Sequence, residues 1–171
     1  MANPLVFSIH DLGGRSGQNL EIRRQAPAPE GFGLELIGIP VGSAIDLDVK
    51  FEGAGDGVWV TGDAQFQLVG SCSRCLIELD YDDETSFEEF FYFSAPEGEE
   101  EPALVTEEAI DITEVLRDQV LVDLPFQPLC KPDCLGLCPT CGVNLNENPD
   151  HHHDAETDPR WDMLKSWQES H

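Results

Sequence analysis

The sequence contains six cysteines, and all of them fall into three closely spaced pairs. Two or three residues separate the members of each pair: Cys72 and Cys75, Cys130 and Cys134, and Cys138 and Cys141. Thiolates at this spacing can occupy neighbouring corners of a tetrahedral metal site. The third pair reads Cys-Pro-Thr-Cys-Gly, a zinc-knuckle sequence whose glycine tolerates the positive φ of a tight turn. The pairs therefore predict a fold organised around structural zinc.

Two histidines, His151 and His153, can supply a fourth pair of ligands. The six cysteines and two histidines together are sufficient ligands for one zinc ion and are numerous enough for two. In one arrangement the third cysteine pair closes with the histidines, and the first cysteine pair meets the second. In the other, the second and third cysteine pairs share one ion and the first pair stands apart. Spacing alone leaves both open.

Other uses of the cysteines have to be weighed against metal binding. The N-terminus, MANPLVFSIHD, lacks the positive and apolar regions of a signal peptide, so we expect a cytoplasmic protein. Reducing conditions there disfavour structural disulfides. A thioredoxin-like redox pair opens a helix after a strand, whereas these pairs fall in a predicted hairpin and a Gly/Pro-rich loop. Buried cysteines without a metal are the remaining alternative.

Strict alternation of apolar and polar residues predicts the β-structure. It is clearest in IDLDVKF (45–51) and continues over 58–68 and 77–81, with FEEFFYF (87–93) extending or following the last run. Leu5–Ile9 and 33–39 are weaker strand candidates, and 10–31 reads as irregular because of its Gly and Pro breakers. We expect an α+β fold with an antiparallel β-meander or small barrel-like sheet.

The rest of the chain suggests a helix, a linker and a C-terminal metal segment. Residues 94–108 form an acidic linker, and Asp111 is a plausible N-cap for a helix that Pro125 ends. A second short helix is expected after Asp158, with an apolar face at its end: Trp161, Met163, Leu164 and Trp167. We therefore divide one structural domain into 1–43 (N-terminal strand and irregular segment), 44–123 (meander, linker and helix) and 124–171 (zinc segment and C-terminal helix).

The charge distribution indicates the kind of partner. The formal net charge is −25, and residues 76–118 hold 16 acidic residues against a single basic one, Arg117. Such a field repels nucleic-acid phosphates and attracts basic proteins. The acidic region is either a solvent-exposed face that keeps the protein soluble or a docking surface for a cationic partner. No apolar run approaches the length of a membrane span.

Enzyme motifs do not emerge from the sequence. It lacks a phosphate-binding glycine loop, a His-Glu-x-x-His helix and a recognisable Ser/His/Asp set. Zinc sites closed by four protein ligands leave no coordination position for a substrate. We therefore expect a protein that is not an enzyme.

Several motifs, read together, resemble the bacterial YceD family of large-subunit ribosomal RNA accumulation proteins, which has relatives in plastids. They are SCSRCL in the meander, then ITEVLRDQVLVDLPFQPLC, DCLGLCPTCGVNLN and DPRWDML. The resemblance covers about residues 44–167. In many family members a C-x-C follows the knuckle, and here His151 and His153 take that place, with His152 able to substitute for either.

The resemblance implies a non-catalytic role in accumulation or processing of 23S ribosomal RNA during large-subunit assembly. Two modes of action follow: through protein partners, such as a basic ribosomal protein or an rRNA-processing factor, or by direct RNA binding through the zinc module. Residues 124–171 hold eight acidic residues against three basic ones, which disfavours direct RNA binding. A zinc-stabilised module without a ribosomal role is the third reading.

Overall fold

A computed structural model describes residues 3–12, 17–98 and 100–153. These ranges contain strands β1 (Val6–Ser8), β2 (Asn19–Pro27), β3 (Ile37–Gly38), β4 (Ala44–Ala54), β5 (Gly57–Ser71), β6 (Glu78–Tyr92) and β7 (Ala109–Asp111), and helix α1 (Thr113–Asp123). The architecture is a mostly antiparallel sheet with one helix, which confirms the α+β prediction at this level.

The main sheet is built around β5. One edge of β5 pairs along its whole length with β6, and the other edge pairs first with β4 and then with the short β3. Strand β2 pairs with the far side of β4. In the part of the chain that the structure describes, no ladder joins β2 to β6, so the sheet is open rather than a closed barrel.

One face of this sheet forms the hydrophobic core. Its alternating apolar residues are almost fully buried, as the sequence pattern predicted: Ile45, Leu47, Val49, Phe51, Val58, Val60, Ala64, Phe66 and Leu68. A two-stranded ribbon of β1 and β7 and the buried side of α1 complete the same core. Phe7 from the ribbon lies against Phe51, with ring centroids 5.4 Å apart.

Arg24 joins the ribbon to the sheet. Its guanidinium donates hydrogen bonds to the carbonyl oxygens of Pro4 and Val6, and its carbon Cζ lies 3.6 Å from the centroid of the Phe7 ring. Burial lowers the pKa of Arg24, since the charged form loses hydration there. This inward-facing arginine is therefore part of the architecture and not of a surface patch.

One prediction about the strands was wrong. Residues 10–31 are not irregular, because they contain the nine-residue strand β2 and a 3₁₀ turn at His10–Leu12. The segment 87–93 extends the strand that begins near Ile77, which is one of the two alternatives that the sequence left open, because β5 holds one continuous partner across 78–92. The candidate strand at 33–39 is reduced to Ile37–Gly38.

The linker and the helix start also differ from expectation. Within the linker, the backbone N–H of Val105 donates to Tyr92 O, and the N–H of Tyr92 donates to Ala103 O, so part of it adds to the end of β6. Asp111 belongs to β7, although its carboxylate still accepts a hydrogen bond from the backbone N–H of Thr113.

The predicted C-terminal helix and its apolar face lie outside the described residues. No helix within those ranges is long and apolar enough to cross a membrane.

Candidate metal centres

The first cysteine pair lies at the tip of the β5–β6 hairpin, as the sequence predicted. The chain turns there through a hydrogen bond from the Cys72 N–H to Ile77 O (2.8 Å) and another from the Leu76 N–H to Cys72 O (2.9 Å). Leu76 adopts a positive φ of 59°. These contacts close a tight loop that turns the two sulfurs of the pair towards the same point.

The second cysteine pair meets the first at this tip. After α1 the chain runs back so that Pro128 O accepts the Ser73 N–H (2.8 Å), which aligns the two segments. The Sγ atoms of Cys72 and Cys134 are then 3.8 Å apart, and those of Cys75 and Cys130 are 3.6 Å apart. Tetrahedral zinc with Zn–S bonds of about 2.3 Å has S···S edges of about 3.8 Å. We call this group the four-cysteine cluster.

The third pair forms a zinc-knuckle turn. Gly142 has φ of 74°, as its place after Cys141 predicted, and its N–H donates to Cys138 O at 2.8 Å. Two histidines close the group: the Nε2 atoms of His151 and His153 each lie 3.2 Å from Cys141 Sγ and 3.0 Å from each other. We call this group, with its two cysteines and two histidines, the mixed cluster.

The geometry therefore selects one of the two arrangements that spacing left open. The donor atoms within each cluster of four lie within 4.8 Å of one another, so each cluster could hold a metal ion. The His152 Nδ1 atom instead lies 2.9 Å from Asp150 O, and His152 belongs to neither cluster.

The two clusters differ in their surroundings. Three members of the four-cysteine cluster, Cys72, Cys75 and Cys134, are buried and pack with Leu79, Leu129 and Leu137 in a small apolar cluster, while Cys130 is exposed. In the mixed cluster, by contrast, only Cys138 is buried, and Cys141 and His153 are exposed. An ion in the first cluster would be shielded from water and competing ligands, whereas an ion in the second would remain accessible.

Backbone hydrogen bonds prepare two thiols for metal binding. Burial works to raise the pKa of Cys72, but N–H groups, led by those of Cys75 and Cys130, outweigh it and lower the pKa to about 6. The N–H groups of Cys141 and Thr140 lower the pKa of Cys138 to about 6. Because metals bind the thiolate form, the lowered pKa of Cys72 and Cys138 would favour ligation by these two thiols at neutral pH.

Two further thiols of the four-cysteine cluster have opposite shifts. Desolvation, together with hydrogen bonds that the Cys130 S–H donates to the three neighbouring sulfurs, raises the pKa of Cys130 to about 12. Burial also works against the Cys134 thiolate, yet a hydrogen bond from the Asn146 side chain leads the contributions that bring the pKa of Cys134 below its ordinary value. A bound cation would offset the desolvation penalty that raises the pKa of Cys130.

Two supporting residues were missed by the sequence reasoning. Arg74 donates from its guanidinium to Cys134 O (2.9 Å) and accepts the Leu137 N–H at its own carbonyl (3.2 Å). Asn146 donates from Nδ2 to Cys134 Sγ at 3.3 Å. Gly136, with φ of 78°, allows the close approach to Arg74, because a Cβ there would lie 3.2 Å from Arg74 O. Spacing motifs identify ligands but carry no signal for these contacts.

The outer side of the main sheet forms a second candidate surface, which we call the acidic sheet face. Strand pairing places carboxylates from four strands on it: Glu21, Asp46, Asp48, Glu52, Asp63, Glu78, Asp80, Asp82, Glu84 and Glu88. Among the strand residues described, its cations are Arg23 and Lys50, which already pair with Asp48 (2.8 Å) and Glu52 (2.9 Å). The acidic surface in the folded protein therefore combines carboxylates from the predicted acidic region 76–118 with carboxylates from β2, β4 and β5.

Aromatic side chains lie at one end of the acidic sheet face. Trp59 is 47% exposed, and its ring contacts that of Phe90 with centroids 5.1 Å apart. The Phe90 and Tyr92 ring centroids are 4.7 Å apart. An exposed tryptophan beside carboxylates offers apolar contact area within a strongly negative field.

The sequence is similar to a known protein family and to several bacterial proteins. A family model described as "Large ribosomal RNA subunit accumulation protein YceD" matches residues 60–167. An uncharacterised protein of Mycobacterium tuberculosis (strain ATCC 25618 / H37Rv) is 40% identical over 169 residues, which covers 96% of this chain and 81% of that protein. No solved structure matches the chain.

More distant relatives include a plant protein. The chloroplastic "Large ribosomal RNA subunit accumulation protein YCED homolog 1" of Zea mays is 31% identical over 124 residues, covering 70% of this chain and 34% of the plant protein. The uncharacterised protein YlbN of Bacillus subtilis (strain 168) is 27% identical over 102 residues, covering 58% of this chain and 59% of its own length. The match of the family model to most of the chain shows that this protein belongs to the YceD family of large ribosomal RNA subunit accumulation proteins.

Proposed function

We propose that this protein is a non-catalytic cytoplasmic factor in ribosome biogenesis, which supports accumulation or processing of 23S ribosomal RNA by binding protein partners. Membership of a family named for large ribosomal RNA subunit accumulation is the observation that carries the proposal. Closed four-donor clusters fit a structural and not a catalytic use of metal.

The acidic sheet face is the proposed docking surface, and its partner is a basic ribosomal protein or a basic rRNA-processing factor. Exposed carboxylates contribute little to the stability of their own fold. Their summed field nevertheless accelerates association with a cationic protein and selects against anionic ones. The same field repels RNA phosphates, so we expect weak binding to naked RNA.

The aromatic end of the face supplies an anchor for the same partner. Tryptophan and tyrosine are enriched among the residues that dominate interface energies. The face of an indole ring also attracts the guanidinium of arginine or the ammonium of lysine. A basic segment lying across β5 and β6 would contact Trp59 and Phe90 at one end and the β6 carboxylates along its length.

Both clusters are proposed to hold structural zinc. Four thiolates and a two-thiolate, two-imidazole set are common structural zinc sites in proteins. The S···S distances of 3.6 and 3.8 Å in the four-cysteine cluster match a tetrahedral edge and exclude a disulfide, whose sulfurs are about 2.05 Å apart. Zinc would fasten residues 129–153 to the β5–β6 hairpin tip.

The biological role is tested by removing the protein from its host. Depletion should lower the amount of mature 23S ribosomal RNA relative to 16S, with large-subunit precursors accumulating, and expression of the wild-type chain should restore the ratio. An unchanged ratio, with normal subunit profiles, would remove the ribosomal assignment.

The docking surface is tested by a charge-removing variant, Asp80→Asn with Asp82→Asn and Glu84→Gln. Its binding to large-subunit ribosomal proteins should weaken severalfold at low salt, and the difference from wild type should shrink at high salt. The matched control is Glu97→Gln with Glu100→Gln and Glu101→Gln, which makes the same charge change in the linker. Equal weakening in both variants would indicate that net charge, and not the acidic sheet face, determines binding.

Nanomolar binding of wild type to naked ribosomal RNA at physiological salt would favour the RNA-binding alternative.

A further inference from the structure

Asn146 belongs to the loop of one cluster and contacts a ligand of the other. It lies between Cys141 and His151 in the chain, inside the loop that the mixed cluster closes. Its side-chain Nδ2 nevertheless donates to Cys134 Sγ in the four-cysteine cluster, at 3.3 Å. Its Oδ1 accepts the backbone N–H of Leu135, the residue after that ligand, at 3.0 Å. The Asn146 amide therefore contacts both the Cys134 sulfur and the backbone of the next residue, Leu135.

A continuous set of hydrogen bonds connects this amide to the mixed cluster. The backbone N–H of His151 donates to Asn148 O (3.1 Å), and the N–H of Asn148 donates to Asn144 O (3.1 Å). Asn144 Oδ1 then accepts both the backbone N–H of Asn146 (3.0 Å) and its Nδ2 (2.9 Å). The position of the Asn146 side chain is thus set by a turn that ends at a ligand of the mixed cluster.

The other end of the same loop is fixed by the knuckle. The Cys138 N–H donates to Val143 O (2.8 Å), and the Leu145 N–H donates to Gly136 O (3.0 Å), between the two clusters. Most of the loop is not buried against the sheet. Its shape therefore depends on closure by Cys138, Cys141, His151 and His153, which a metal ion would provide.

We propose that Asn146 couples metal binding at the two clusters: an ion in the mixed cluster orders the loop at 142–150, which presents the Asn146 amide to Cys134 and strengthens binding in the four-cysteine cluster. The inference rests on the proposed metal centres and adds a positioning residue between them. Hydrogen bonds to ligands typically change metal affinity by about 10–100-fold when lost. Coupling is reciprocal, so an ion in the four-cysteine cluster strengthens the mixed cluster by the same factor.

The test uses Co²⁺ on the full chain, with a competing chelator to set the free ion concentration. Thiolate-to-cobalt absorption grows with the number of bound thiolates, so an ion held by four thiolates and one held by two thiolates and two imidazoles have distinct spectra. Three changes are compared: His151→Ser with His153→Ser, which empties the mixed cluster; Asn146→Asp, which keeps the Oδ1 acceptor and loses the N–H donor; and the combination of both.

The wild type should bind two Co²⁺ ions. Emptying the mixed cluster should weaken the four-thiolate site by about 10–100-fold, and Asn146→Asp should weaken it similarly while the mixed cluster stays filled. In the combined variant the loss should be little larger than in either alone, because both changes interrupt one path.

Two results would overturn the coupling: a four-thiolate affinity unchanged in Asn146→Asp, or losses that simply add in the combined variant. Asn146→Ala, which introduces no charge, should behave like Asn146→Asp. Glu147→Gln, which changes the charge of an exposed side chain at the neighbouring position of the same loop, should leave the four-thiolate affinity unchanged. A wild-type protein that binds no Co²⁺ would refute the metal centres themselves, and one that binds a single ion would refute a second centre and the coupling with it. Two bound ions with an unaffected Asn146→Asp variant would refute only the coupling.

Discussion

The sheet and the segment at 129–153 are held together by different physical means. The sheet, ribbon and helix share one continuous apolar core, with Phe7, Phe51 and Leu116 at most 1% exposed. The segment at 129–153 has no regular helix or strand and shares an apolar cluster of only three leucines with the hairpin tip. Burial of apolar surface can stabilise the first region but is too small to fold the second.

This difference explains why ligand side chains are concentrated where the core ends. A segment with little apolar surface cannot offset its conformational entropy on folding without cross-links. Two tetrahedral metal centres would supply those cross-links, and the four-cysteine cluster alone joins positions 62 residues apart in the chain. We therefore expect substitutions in the sheet to leave the segment at 129–153 largely intact, and substitutions in that segment to leave the sheet largely intact.

The largest expected effect is the loss of a buried ligand. Cys72→Ala should reduce the zinc content from two ions to one and free the segment at 129–153, because structural zinc contributes about 10–16 kcal/mol of apparent binding energy in small domains. Native mass spectrometry measures the content. Cys141→Ala should also remove one ion but leave the hairpin tip attached to Cys130 and Cys134; loss of both ions in each variant would contradict two separable centres.

A smaller effect is expected for a core truncation. Phe51→Ala should destabilise the sheet by about 3–5 kcal/mol, the usual cost of removing a buried phenylalanine side chain. Urea denaturation followed by far-ultraviolet circular dichroism gives the free energy of unfolding, measured with and without a zinc chelator. The loss should be the same in both conditions. A loss that disappears in the chelator would mean that the core itself depends on metal.

Two adjacent arginines give a matched pair within the sheet. Arg24→Met should destabilise the sheet by about 1–3 kcal/mol, because two ribbon carbonyls lose their donor. Arg23→Met should cost less than about 1 kcal/mol, since the Arg23 side chain is 77% exposed and its ion pair with Asp48 is screened by water. The same denaturation experiment compares them, and equal costs would show that the inward position of Arg24 has no special part in joining the ribbon.

The smallest effect concerns pH. A hydrogen bond that His10 donates to the Glu108 carboxylate, together with the charge of that carboxylate, raises the pKa of the exposed His10. A raised folded-state pKa adds stability below the ordinary histidine value of about 6.5, and this stability is lost as pH rises through the folded-state value. The sheet of the wild type should therefore weaken slightly over that range, and His10→Gln should flatten the change. If the variant and the wild type lose stability equally over this pH range, the His10–Glu108 pair is not the source of the pH dependence.

Alternation predicted the central strands well but failed at the edges. β4 and β5 are buried on one face only, so their sequences carry a clear period of two. β2 was missed because its inner positions include Arg24 and its end is Pro27, and because pairing with β4 stabilises it more than its own sequence does. The sequence left open whether 87–93 continues the strand at 77–81, because 80–84 is exposed on both sides and only its partner β5 keeps it extended.

The residues of the two clusters were predictable, but their grouping was not. Knuckle spacing and the histidine pair pointed to the eight residues that the structure brings together in two groups able to hold a metal ion, since these motifs are local. The choice of partners depends on the β5–β6 hairpin meeting the chain that leaves α1, which is a long-range contact. Arg74 and Asn146 act through backbone and side-chain hydrogen bonds across the same contact, so no local pattern marks them.

Hydrogen–deuterium exchange with and without a zinc chelator tests the central claim most directly. We predict that chelation removes protection from residues 129–153 and from the hairpin tip at 72–77, while β4, β5 and α1 remain protected. That result would show a sheet stabilised by its apolar core and a segment stabilised by metal. Protection unchanged in 129–153, or lost throughout the sheet, would contradict the division.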